Sequence, residues 1–160
     1  MRRIVSNEYD VNVIKVVDGD TVDVDIDLGF NVVLTDERVR IVGIDTPESR
    51  TSDRVEDLFG EAAKKRLKEL MESGAKLITT EDKHGEDMKG KFGRILGDFR
   101  LPDGKKVTEV LIEEGHAVPY FGGSKDELVG KHMRNRQKLL EEGVVTQEDY
   151  EKALHMMRNR

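Results

Sequence analysis

The chain has 160 residues, a formal net charge of −6 and no cysteine. That length suits one compact domain with a short appendage, and the missing thiols exclude a disulfide scaffold and any zinc site built on thiolates. The acidic balance argues against tight, non-specific nucleic-acid binding, which draws on clustered Lys and Arg, but it leaves room for an enzyme that meets a phosphodiester at one local site.

The opening residues, MRRIVSNEYDVN, hold two arginines with no apolar run behind them, and no later stretch is long enough to span a bilayer. Neither a signal peptide nor a membrane segment is expected, so the location read from the sequence is cytoplasmic. Residues 11–17 (VNVIKVV) read as a strand, followed by Asp18-Gly19-Asp20-Thr21, which is ordinary turn chemistry. Residues 21–28 alternate strictly, with Val22, Val24 and Ile26 facing one way and Asp23, Asp25 and Asp27 the other. Those aspartates invite comparison with an EF-hand loop, but the required glycine and glutamate fall on Leu28 and Leu34, so a solvated, charge-protected strand face is the better account.

Gly29 turns the chain, and residues 31–34 and 38–44 supply further strand material; within the latter, Arg40, Val42 and Ile44 are expected on one face. A polar loop leads to a helix over about 58–71, closed by Gly74, and 75–80 is a short strand. Residues 94–101 form another strand, PDG at 102–104 a turn, and 106–114 a short helix with Val107, Val110 and Leu111 inward. Near the end Gly143 stops one helix and Thr146 can cap the next, giving a helical hairpin. This order predicts an α+β fold: an OB-type, five-stranded Greek-key barrel with helices packed on it. The expected division is residues 1–125 for the barrel domain and 126–160 for a C-terminal helical extension.

Chemistry concentrates at RIVGIDTPE, residues 40–48. Pro47 fixes its own φ and biases Thr46 to an extended conformation, so backbone sets the relative aim of Asp45 and Glu48. A hard cation such as Ca²⁺ wants several oxygens, which Asp20, Asp45 and the Thr46 carbonyl could provide. Arg94, at the start of a strand in KFGR, could join Arg40 in gripping one phosphate with two guanidinium forks. Each residue alone has a plainer reading: Asp18 and Asp20 a turn, Glu48 a loop cap, Arg40 a salt-bridged sheet residue. The four histidines are scattered without zinc-ligand spacing and read as surface or packing residues. Arg134, Arg136, Arg158 and Arg160 read as a solvated helix face among acids.

DGDT, RIVGIDTPE, KFGR and EEGHAVPY, in that order over residues 11–121, resemble the staphylococcal nuclease (thermonuclease) family. The resemblance implies an OB-fold nuclease that hydrolyses DNA and RNA with one Ca²⁺, leaving a 3′-phosphate and a 5′-hydroxyl. It further implies that Asp20, Asp45 and the Thr46 carbonyl ligate calcium, with Asp18 supporting Asp20 from behind. Glu48 would act as general base, Arg40 and Arg94 would contact the phosphate, and Lys91 and Tyr120 would hold a terminal phosphate or stack on a base. Phe92 stands where the family often has Tyr, and the best-known members are basic and exported, unlike this acidic chain. The segment DLGFNVVLTDE is longer than a tight hairpin needs. The alternative function is an OB-fold nucleic-acid-binding module, weak or inactive in catalysis, whose terminal hairpin meets a partner protein or a second copy of the chain.

Overall fold

The structure is a computed structural model and describes residues 7–79 and 93–158. Strands β1 (Glu8–Asp18), β2 (Thr21–Asp27), β3 (Val33–Ile41), β5 (Lys76–Thr79) and β6 (Ile95–Arg100) close into a barrel in the order β1-β2-β3-β6-β5. β5 returns to pair with β1, and β3 pairs with β6 in parallel. Closure leaves the five strands no open edge, the OB-type α+β solution read from the sequence. The alternation in β2 has the predicted effect: Val22, Val24 and Ile26 are buried. Their acidic neighbours are bridged as well as solvated, with Arg38 bonding Asp23 at 2.8 Å and the Asp36 amide donating to Asp25 at 2.9 Å.

The strand material after Arg38 does not run through to Ile44. Gly43 takes φ +85°, and Ile44–Asp45 form a separate short strand, β4, paired with β7 (Val118–Pro119). Arg40 and Ile44 therefore do not share a strand face: Arg40 borders the barrel mouth, whereas Ile44 is 1% exposed in the core. The long insertion becomes the tip of the β2–β3 hairpin, where Phe30 and Asn31 take positive φ and Phe30 is fully exposed.

Helix α1 (Arg54–Glu72) begins four residues before the predicted start. Asp53 caps it, its carboxylate accepting from the Val55 and Glu56 amides at 3.0 Å each. Leu67, Leu70 and Met71 pack on the barrel core beside Phe99 and Leu111, and α2 (Val107–Glu113) closes that core with Val107 and Leu111. The first turns of α1 face elsewhere. Val55 and Phe59 form a second cluster with Leu139 of α3 (Val129–Glu141), Val145, and Ala153 of α4 (Gln147–Arg158). Thr146 caps α4 as predicted, accepting from the Asp149 amide at 3.1 Å. The terminal hairpin thus packs on α1, edge to face between Tyr150 and Phe59 with ring centroids 6.2 Å apart. Among the described residues, no helix is long and apolar enough to cross a membrane.

Candidate active site

Three chain segments meet at the open end of the barrel. The β1–β2 turn carries Asp18 and Asp20, and a bulge in β1 between Val16 and Asp18 lies just before it. Gly19 in this turn does not need a positive φ; a Cβ there would lie 2.8 Å from the Ala63 Cβ, so the glycine lets α1 press against the turn. Arg40 comes from β3, where sheet register sets it opposite Thr21. The third segment, Thr46 to Arg50, follows β4 and rests on α1. A side chain at position 60 would run into the Glu48 carbonyl and approach the Ser49 nitrogen to 2.6 Å, so Gly60 is what permits this seating.

Together with Arg94, just before β6, these segments line an open cleft of about 540 Å³. Of the residues singled out from sequence, Asp18, Asp20, Arg40, Thr46, Glu48 and Arg94 all border it. Asp20 accepts from the Thr21 hydroxyl at 2.9 Å and faces Arg40 Nη2 at 3.3 Å. The Arg40 guanidinium also donates to the Ile41 and Ile44 carbonyls, which ties the barrel to the start of β4. Glu48 is exposed and makes no hydrogen bond or ion pair with the described residues.

Two cleft residues were not singled out from sequence. The Ser49 hydroxyl donates to Asp18 Oδ1, and Arg50 Nη2 lies 3.5 Å from Asp18 Oδ2. Asp18 is therefore a strut between the turn and the loop. The signal available was adjacency, since Ser49 and Arg50 directly follow Glu48.

Asp45 and Tyr120, also singled out from sequence, do not line the cleft. The Asp45 side chain is 14% exposed, and its carboxylate is taken up by Lys125 Nζ at 3.1 Å and His132 Nε2 at 2.8 Å. Lys125 lies in a short 3-10 turn, Lys125–Leu128, and His132 in the first turns of α3. Burial works to raise the Asp45 carboxyl, but the bonds from His132 and Lys125 outweigh it and hold the group below the usual carboxylate range. The bond to Asp45 in turn raises the Lys125 ammonium. His132 was read as a surface or packing residue, because nothing in the sequence links positions 87 residues apart. Tyr120 sits beside this pair, its hydroxyl donating to the Gly123 carbonyl at 2.9 Å and its ring centroid 5.7 Å from Lys125 Nζ. Lys91 lies outside the described residues.

No three Asp, Glu, His or Cys side chains among the described residues converge as a ready metal cage. The donors nominated from the sequence are nevertheless all oxygen, the Asp20 and Asp45 carboxylates and the Thr46 carbonyl; Asp20 and Thr46 border the cleft, and Asp45 lies outside its lining. That chemistry would suit a hard cation such as Ca²⁺, which takes oxygen ligands. What opposes it now is the protein's own positive charge, on Arg40 and on Lys125.

A closed five-stranded barrel with acids and arginines at its open end defines the class of protein, an OB-type fold bearing a charged cleft. The profile of the staphylococcal nuclease homologue family matches residues 38–152, most of the chain, and the chain belongs to that family. SPbeta prophage-derived endonuclease YokF of Bacillus subtilis (strain 168) is 37% identical over 130 residues, which is 81% of this chain and 40% of that protein. Endonuclease YncB of the same organism is 39% identical over 105 residues, 64% of this chain and 44% of that protein. Endonuclease YhcR, also of that organism, is 32% identical over 119 residues, 71% of this chain but 9% of its own length. The chain thus spans less than half the length of these relatives.

Proposed function

We propose that the chain is a calcium-dependent nuclease that hydrolyses phosphodiester bonds of DNA and RNA at the barrel-end cleft. The observation that carries this reading is the meeting of Asp18, Asp20, Glu48, Arg40 and Arg94 around one open cavity. Its membership of a family whose relatives above are named endonucleases supports it.

Hydrolysis in line at phosphorus needs a proton acceptor for water and donors for the charge that grows on the phosphoryl oxygens. Glu48 is suited to the first task, because it is open to solvent and no cation among the described residues engages it. It would take the water's proton as the oxygen closes on phosphorus. Arg40 and Arg94 would donate to the phosphate, with Arg94 also supporting the departing 5′-oxygen, so that the products carry a 3′-phosphate and a 5′-hydroxyl. Asp18, bonded to Ser49 and Arg50, would keep the loop bearing Glu48 at its distance from the turn bearing Asp20. A calcium ion held by Asp20, Asp45 and the Thr46 carbonyl would add Lewis-acid neutralisation of the phosphate. Tyr120 and Lys91 are assigned to holding a terminal phosphate or stacking on a base.

The test is hydrolysis of single-stranded DNA, duplex DNA and RNA in millimolar Ca²⁺, with excess chelator and an Asp20→Ala protein as controls. Cleavage that vanishes with either control is expected. A folded protein that cleaves none of the three substrates would overturn the reading and leave a nucleic-acid-binding barrel.

A further inference from the structure

Asp45 is bound at both oxygens by residues of the C-terminal region, and the two bonds differ in kind. His132 Nε2 lies 2.8 Å from Oδ2 with its side chain 16% exposed, while Lys125 Nζ lies 3.1 Å from Oδ1 with its side chain 63% exposed. One partner is embedded and the other sits at the end of a long, solvated stem. We propose that His132 is a positioning residue for Asp45, and that Lys125 is a placeholder cation which a divalent metal displaces from the same carboxylate. The inference rests on the reading of Asp45 as a metal ligand.

The mounting of α3 supports the division. Asn135, one turn beyond His132, donates to the Ala117 carbonyl at 3.3 Å and pins the helix beside β7, which pairs with Asp45 through Val118. Leu128 and Leu139 are buried on either side of it. His132 therefore arrives at Asp45 on a fixed element, donating through Nε2–H to an ionised acceptor. A ligating carboxylate commonly keeps such a bond on the oxygen turned away from the metal, where it holds the group's orientation.

Lys125 has no comparable mounting. Gly122 and Gly123 precede it in positive-φ conformations, and its ammonium already lies 5.7 Å from the Tyr120 ring centroid. It can leave Asp45 and remain over that ring without becoming unpartnered. An ammonium and a dication cannot both approach one oxygen without strong repulsion at such short range. Until metal arrives, Lys125 neutralises a carboxylate that is otherwise largely withdrawn from water. The C-terminal segment thereby takes part in the support of Asp45.

The test is Ca²⁺ affinity of the full chain by titration calorimetry at fixed pH, with Tb³⁺ luminescence sensitised through tyrosine as a second probe. Lys125→Met should tighten Ca²⁺ binding by about two- to fivefold, the range for a partly exposed ion pair that no longer competes. The gain should vanish when Asp45→Asn is also present; a gain that persists reflects only the local field and overturns the placeholder. His132→Ala should weaken binding by about tenfold or more, and His132→Gln, which keeps a donor, should recover part of it. Unchanged affinity in both folded His132 variants would overturn the positioning role. If Asp45→Asn alone leaves Ca²⁺ affinity unchanged, the metal-ligand reading fails and the inference falls with it. If Asp45→Asn abolishes binding while the Lys125 and His132 variants match wild type, the inference alone fails.

Discussion

Asp20 stands on the closed barrel and Asp45 on a separate two-stranded sheet, and they meet different cations and are held by different machinery. Asp20 stands on the β1–β2 turn, and barrel register brings it Arg40: the Ile41 amide donates to its carbonyl at 2.8 Å, and Thr21 faces Arg40 across the ladder. Asp45 stands on a two-residue strand paired, among the described residues, only with β7, and helix α3 brings it His132. The loop beyond it, with Glu48, lies on α1 at Gly60. One half of the cleft is thus built by strand pairing, and the other is carried on helices. The difference teaches that a carboxylate's place in a motif does not settle its surroundings; here helices far along the chain decide what Asp45 meets.

Removing one charged group from each half should produce the largest effects. Arg40→Ala on the barrel side and Glu48→Gln on the loop side should each lower the initial rate of DNA hydrolysis by about 10²-fold or more. A Glu48→Gln protein with full activity would show that the loop half does not supply the base. Gly60→Ala probes the loop half without touching a charged group. Its methyl would displace the Glu48–Ser49 backbone, so activity should fall by about 10- to 100-fold while the far-ultraviolet circular dichroism of the barrel persists. Wild-type activity would mean that the loop accommodates the shift.

Stability should separate the two packing clusters. Phe59 is 1% exposed, meets Tyr150 edge to face, and lies under Arg136 at 5.2 Å. Phe59→Ala should cost about 3–5 kcal/mol in urea unfolding and loosen α3 and α4 before the barrel, as read by amide exchange in the two regions. Uniform loss of protection would merge the clusters into one cooperative unit.

A smaller effect should come from pH. His116 is 3% exposed, with Nδ1 unpartnered among the described residues, and burial pushes its imidazole below the ordinary value of 6.5. The unfolded chain therefore takes up a proton that the folded chain resists. The contribution is fully present above about pH 6.5 and is lost as pH falls toward and through the lower folded value. Urea midpoints should drop between pH 7.5 and 5.5, and His116→Leu should flatten that slope; an unchanged slope would assign the drop to other groups. The smallest effect belongs to Arg66 and Glu114, a two-pronged pair at 2.6 and 2.9 Å whose side chains are 32% and 37% exposed. Solvent screening limits Arg66→Ala to about 0.5–1 kcal/mol. The Arg66 bond holds Glu114 below its ordinary 4.5, so this contribution is present above that value and is lost as pH falls through the lowered one.

The sequence by itself determined what depends on short-range pattern. Val22, Val24 and Ile26 announce their buried face through period-two alternation, Val107 and Leu111 mark the inner side of α2, and Thr146 signals the start of α4 through its hydroxyl. Most of the cleft was legible too, because Asp18, Asp20, Arg40, Glu48 and Arg94 lie in compact motifs that the barrel gathers at one end. The start of α1 was hidden, since Arg54, Glu56 and Asp57 interrupt the apolar pattern that the Asp53 cap precedes. Gly19 read as a turn residue, and only the approach of Ala63 reveals that it makes space for a helix. The tertiary structure alone decided the partners of Asp45. A hydrogen bond across 87 residues leaves no local trace, because the docking of α3 beside β7 creates it.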